Sequence, residues 1–196
     1  MSFDQAMYWM SLASGLAVVG IQAIAKAKRK PGKIVAMSTV HPLREKVLKV
    51  CSICGLLMVA FLSYRRNPIL TLRFDIPVAI QLVGAVLNIV GVIIVLCSHL
   101  WLGKNWSGRV RIRADHELIT SGPFRCIRHP LYLGFFLVIV GITLSLKTVA
   151  GIVIWLMAVV VYDIKARQEE KLLTQYFGEK YRRYQARTWR FIPYVY

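Results

Sequence analysis

The chain has 196 residues, 57% of them hydrophobic, with a mean hydropathy of +0.53 and a formal net charge of +17. Charges gathered in blocks between long apolar runs exclude an ordinary soluble domain and indicate an integral membrane protein. A nucleic-acid reader needs a soluble basic face; here the basic blocks alternate with apolar runs of membrane length, so the charge reads as topology.

The first apolar run, Ala6 to Ala25, has spanning length, is preceded by no basic residue and follows Asp4, so it reads as a retained helix and not a cleavable signal. The second, Val50 to Tyr64, is short, and the third, Ile76 to Leu102, is a full span. The fourth, Leu131 to Tyr162, is interrupted only by Lys147. As one helix it would reach about 48 Å, far more than a bilayer needs. It therefore reads as a hairpin of two short helices turning near Ser145, Lys147 and Thr148.

With five helices and the N-terminus outside, the inside segments Lys26 to Lys49, Lys104 to Arg128 and Lys165 to Arg190 collect every Lys and Arg except Arg65, Arg66, Arg73 and Lys147. That asymmetry favours five spans over four. It also puts the loop before the fourth helix and the C-terminal tail on one side, in the cytoplasm. The expected fold is an all-α integral membrane protein of five transmembrane helices, with a helix 4–5 hairpin and a C-terminal interfacial helix. With no repeat or long linker it forms a single domain over 1–196, in which the stretch from about 104 to 193 carries the motifs read below.

Cys51 and Cys54 form a CxxC inside the second run, with no second ligand pair at zinc spacing, so the cysteines read as packing residues and no metal site is expected. His41 and His99 look incidental, whereas His116 and His129 lie in the inside loop that precedes the fourth helix.

That loop ends in Ser121-Gly122-Pro123, a turn, and in Arg125, Arg128, His129 and Pro130. A residue before proline is biased toward extended backbone, and Pro130 suits the first helical position, where its missing N–H costs nothing. The free N–H groups of the next turn make a seat for an anion. The bland alternative is that these residues only anchor the helix among headgroups. Where the last span leaves the membrane, Glu169 and Glu170 stand together in a chain with only nine acidic residues. Helix neighbours point about 100° apart, so one glutamate faces the bundle and the other faces solvent or a basic partner. Leu172, Leu173, Tyr176, Phe177, Tyr181 and Tyr184 recur beyond them at helical spacing, as in a helix lying on the membrane. The tight hairpin brings both groups to one cytoplasmic pocket, which carries both charge signs and so suits a zwitterion. No GxGxxG after a strand and no P-loop is present, so a nucleotide-like cofactor would not sit in a Rossmann fold.

His116-Glu117-Leu118-Ile119, Ser121-Gly122-Pro123-Phe124, Arg128-His129-Pro130-Leu131-Tyr132 and Glu169-Glu170 followed by Tyr176-Phe177-Gly178, taken in that order and spacing, resemble the signature of isoprenylcysteine carboxyl methyltransferases, small prokaryotic members above all. The likeness covers roughly Trp106 to Pro193, and the related phospholipid methyltransferases share much of it. The resemblance implies S-adenosylmethionine as methyl donor, with S-adenosylhomocysteine as product. It implies a cofactor site lined by His116, Glu117, Leu118, Ile119, Phe124, Arg128, His129, Pro130, Leu131 and Tyr132, with Glu169 more than Glu170 at the cofactor's polar end. Phe124 stands where the family often has Tyr. The implied acceptor is a prenylcysteine carboxylate or another lipid-like molecule, and the implied setting is a prokaryotic cytoplasmic membrane. A basic residue near the glutamates would hold the acceptor; Arg167 is the candidate, with Lys165 as the alternative, so Arg167, Glu169 and Glu170 form the expected catalytic group.

Methyl transfer to a carboxylate with a pKa near about 3.5 needs no general base. It needs in-line placement and exclusion of water. An amine acceptor would need a base, for which Glu170 or His129 would be recruited. A sterol-type reductase is a third reading, but its motif usually has Asn where Pro130 stands and lacks the paired glutamates; a non-enzymatic scaffold is a fourth.

Overall fold

The computed structural model describes residues 1–28, 33–37, 74–106 and 111–194. The predicted second span, Cys51, Cys54 and His41 lie outside the described residues. Five α-helices are described: α1 (Phe3–Ala27), α2 (Val78–Leu102), α3 (Pro130–Leu146), α4 (Val149–Phe177) and α5 (Glu179–Gln185). By length and composition, α1, α4 and α2 with its one-turn extension to Asn105 can cross a membrane; α3, at 17 residues, is a shorter apolar helix.

Local chemistry sets the boundaries. Ser2 caps α1: its hydroxyl accepts from the Gln5 amide at 3.3 Å while the Gln5 side chain accepts from the Ser2 amide at 2.9 Å. Pro130 opens α3 as its first residue, and His129 precedes it with φ −126° and ψ 58°. Lys147, in the left-handed region at φ 54°, ends α3, and α4 starts two residues later. The long fourth run thus divides where its lone charge falls. Its second arm is not short: α4 continues for 29 residues, about 43 Å at 1.5 Å per residue, and ends only where Gly178 takes φ 56°. Glu169 and Glu170 therefore sit inside a continuous helix.

The all-helical expectation also needs correction. Ile34–Met37 (β1) and Arg111–Arg113 (β2) pair as a short antiparallel ribbon, with Ala36 opposite Ile112. Ile112 is buried at 1% exposure and lines the cavity described below.

Helices α2 and α3 run against each other at backbone distance. A Cβ on Gly141 would lie 2.6 Å from both the Gly84 carbonyl oxygen and the Asn88 amide nitrogen, and one on Gly91 would lie 2.8 Å from the Gly134 carbonyl oxygen. Lipid supplies no hydrophobic drive between helices, so small residues that permit such approach take over that role. α1 rests on both α2 and α3. The core beneath the site is Val95 of α2, Tyr132, Phe135, Phe136 and Ile139 of α3, Ala158 and Ala166 of α4, and Phe191 from the tail.

Candidate active site

The loop before α3 is built in three steps. Gly122, at φ 58°, opens a single 3-10 turn (Gly122–Arg125) packed directly under the Trp101 indole, where any Cβ would collide with the ring. Cys126, at φ −110° and ψ −33°, closes that turn, and Ile127 to His129 lead out of it without continuing as helix, with His129 held out of the helical region by Pro130. Their backbone is taken up by the tail. Trp189 N–H donates to Cys126 O (3.0 Å), Arg128 N–H to Trp189 O (2.8 Å) and His129 N–H to Arg190 O (3.1 Å). The result is a parallel bridge between Ile127 and Trp189, with Phe191 buried against His129, Tyr132 and Phe136.

On this frame stands a buried ionic cluster. His129 lies between the glutamates, Nδ1 at 3.4 Å from Glu169 Oε2 and Nε2 at 3.3 Å from Glu170 Oε1. The second is a contact of charge rather than a hydrogen bond. The Tyr132 hydroxyl donates to Glu169 Oε1 at 2.7 Å, and its ring stacks on His129. Glu170 is gripped from both sides: Arg128 Nε at 2.8 Å, Arg190 Nη2 at 2.8 Å and Arg190 Nε at 3.1 Å. Arg128 also donates to the carbonyls of Gln185 and Thr188. Burial opposes a charge on His129, but the contacts with Glu169 and Glu170 outweigh it and raise its pKa above the usual 6.5. Burial, reinforced by the Glu170 charge, pushes the Tyr181 hydroxyl well up, so Tyr181 stays protonated.

A cavity of about 280 Å³ opens beside the cluster. Its polar end is lined by His116, Glu117, Leu118, Ile119, Phe124, Arg128, His129, Tyr132, Lys165 and Glu169, and its apolar limb runs along α1, α3 and α4 past Val18, Phe135, Ile139, Ile142, Leu146 and Ile154. Leu131 lines it too, whereas Pro130 is fully buried as the first residue of α3. The Glu117 carboxylate is turned outward to Lys104 at 2.8 Å, and its amide donates to Asn105 Oδ1 at 2.9 Å. Of the glutamates, Glu169 faces the cavity and Glu170 faces the arginines. Arg167 departs from expectation. Its side chain is 61% exposed and bonded to Asp163 at 2.7 Å, away from the cavity. Lys165, one turn before Glu169, lines the cavity instead, its ammonium 5.5 Å from the centre of the Tyr132 ring.

Residues 82–175 match the isoprenylcysteine carboxyl methyltransferase (ICMT) family. Over that stretch the chain is similar to the family. A probable protein-S-isoprenylcysteine O-methyltransferase of Oryza sativa subsp. indica is 31% identical over 123 residues, which cover 59% of this chain and 62% of that protein. Protein-S-isoprenylcysteine O-methyltransferase A of Arabidopsis thaliana is 32% identical over 117 residues, covering 57% and 58%. The chain thus spans about 60% of the length of these relatives. A solved eukaryotic intramembrane Ras methyltransferase ICMT superposes with a TM-score of 0.58 at 23% identity, over 80% of this chain and 54% of that one, a likeness of fold.

The stretch matched to the isoprenylcysteine carboxyl methyltransferase family contains most of α2, α3, the loop between them and α4 past Glu169-Glu170. Beyond it lie the groups that sequence reasoning missed: Arg190, Phe191 and the strap that carries them. A short basic and aromatic tail offers little signal of its own. The α1 residues at the cavity, among them Ser11, Gly15 and Gln22, were likewise silent, because a membrane helix shows hydrophobicity more clearly than facing.

Proposed function

We propose that the chain is an S-adenosylmethionine-dependent O-methyltransferase at the membrane surface, acting on a carboxylate carried by a prenyl or similar apolar chain. The observation that carries this reading is the union, in one cavity, of a charged end at Lys165, His129 and Glu169 with an apolar limb between α1, α3 and α4.

The residues fit the cofactor. A carboxylate at Glu169 suits an ammonium, cationic neighbours suit a carboxylate, and the faces of Phe124 and Tyr132 suit a flat heterocycle. Bound there, S-adenosylmethionine would supply a methyl group on a sulfonium whose sulfur leaves as a neutral thioether. The protein's part is placement. Tyr132 and His129 fix the two oxygens of Glu169. Lys165, in place of the exposed Arg167, holds the acceptor carboxylate by charge. The apolar limb seats the lipid portion and keeps water from the oxygen that receives the methyl group. No proton has to be removed from an ionised carboxylate. This accords with the state of Glu170, whose oxygens are occupied by two arginines, and disfavours an amine acceptor that would need it as base.

Calorimetric titration of the detergent-solubilised protein with S-adenosylhomocysteine, with NADPH in parallel, tests the class. Binding of the first alone, followed by methyl transfer to a farnesylated cysteine and none to an amine headgroup, is the expected result. Binding of NADPH alone would return the chain to a reductase.

A further inference from the structure

Resting on the methyltransferase reading, we infer that Arg190, in the tail beyond the family-matched stretch, is a positioning residue that sets His129 and, through it, the cavity-facing Glu169. Arg190 grips His129 twice. Its carbonyl oxygen accepts the His129 N–H at 3.1 Å, fixing the backbone one residue before α3. Its guanidinium lies along both oxygens of Glu170, at 3.1 and 2.8 Å, and Glu170 in turn stands 3.3 Å from His129 Nε2. The remaining end of the guanidinium reaches Asp163 Oδ1 at 3.4 Å, one face of α4 thus meeting the fork at two points seven residues apart.

Burial makes the arrangement consequential. The Glu170 side chain is 7% exposed and that of Arg190 is 16% exposed, so neither can be replaced by solvent without cost. Arg128 alone holds Glu170 from the loop side and is shared with the carbonyls of Gln185 and Thr188. Without Arg190 the Glu170 carboxylate would be half-compensated and free to turn toward His129, drawing the imidazole off the line that joins it to Glu169. Arg190 touches neither the cavity nor any reacting atom, so its effect passes through Glu170.

The test is a double-mutant cycle on the full chain in detergent, with S-adenosylhomocysteine affinity and melting temperature read separately. R190Q should weaken binding roughly tenfold to a hundredfold, the range typical of groups that orient a ligand-contacting residue. R190K keeps the charge but not the fork and should fall in between. R187Q, at an exposed arginine of the same segment, should bind within about twofold of wild type and controls for tail charge. E170Q should weaken binding as much as R190Q does, and adding R190Q to E170Q should change affinity by less than about twofold, since the two act as one unit. The inference fails if R190Q lowers the melting temperature yet binds like wild type, or if its loss adds in full to that of E170Q. Should R190Q not fold, wild-type affinity in R190K overturns the inference equally. A wild-type chain with no affinity for S-adenosylhomocysteine overturns the function reading first and this inference with it.

Discussion

Lys165 and Glu169 are one helical turn apart and share a face of α4, while Arg167, two positions on from Lys165, points the other way. The phase of that helix explains why the expected acceptor-holding residue is displaced. Once Glu169 is placed inward, the i−4 position follows it, but nothing in the linear order says which glutamate turns in until Arg190 and Arg128 claim Glu170. His129, Tyr132 and Glu169 were legible because the proline after His129 and the acidic pair in a basic chain are rare features with a physical reason. E169Q should lose S-adenosylhomocysteine affinity by at least about thirtyfold, in line with about 2–5 kcal/mol for truncating one partner of a buried charged contact. R167Q should leave it within about twofold, as exposed pairs contribute little. Tyr132→Phe removes one hydrogen bond to Glu169 and should weaken binding roughly fivefold, about 1 kcal/mol. His129 has its pKa raised in the fold, so its charged pairing with the glutamates contributes fully below about pH 6.5 and is lost as pH climbs through the raised value. Melting temperature should accordingly decline as pH is raised past that value, and His129→Gln should flatten the decline.

The glycines of α2 and α3 form a pattern that could have been read. Gly84 and Gly91 are seven apart, as are Gly134 and Gly141, and in the fold Gly84 meets Gly141 while Gly91 meets Gly134. A seven-residue repeat of the smallest residue on two apolar helices is the mark of antiparallel backbones in contact. Gly141→Leu should destabilise the protein by about 1–3 kcal/mol through overpacking, or more because the obstructing atoms are backbone. Gly20→Ala, with open space around it, should leave the melting temperature unchanged or raised. The hairpin was visible because a lone lysine interrupts an apolar run. The unbroken length of α4 was not, since the change from apolar to charged sequence near Asp163 marks where the helix leaves lipid, not where the helix stops. At Gly178 the stop is conformational: φ is 56° and ψ −127° with no atom near a would-be Cβ, so Gly178→Ala tests backbone strain alone and should cost about 1–3 kcal/mol.

For the whole molecule, the cluster joins three places in the chain: the loop at Cys126 to His129, the acidic pair of α4, and the strap at Thr188 to Phe191. All three must lie on one side of the membrane, which is where the distribution of Lys and Arg puts them. A reporter fused after Tyr196 should therefore signal from the cytoplasm, and an external signal would overturn the sidedness expected from the charge distribution. The overall architecture was legible to the extent that hydrophobicity marks apolar helices; the ribbon and the strap were not, because both depend on contacts between segments far apart in the chain.

That distance bears on biosynthesis. Arg128 and the Thr188 carbonyl it bonds are 60 positions apart. At roughly 5–20 residues per second, the ribosome would deliver the strap several seconds after the loop. Through that interval α3 and α4 can enter the bilayer, yet Glu170 and His129 have no arginine fork beside them and must stay wet at the surface. The ionic cluster is thus completed last, when the strap brings Arg190 to Glu170.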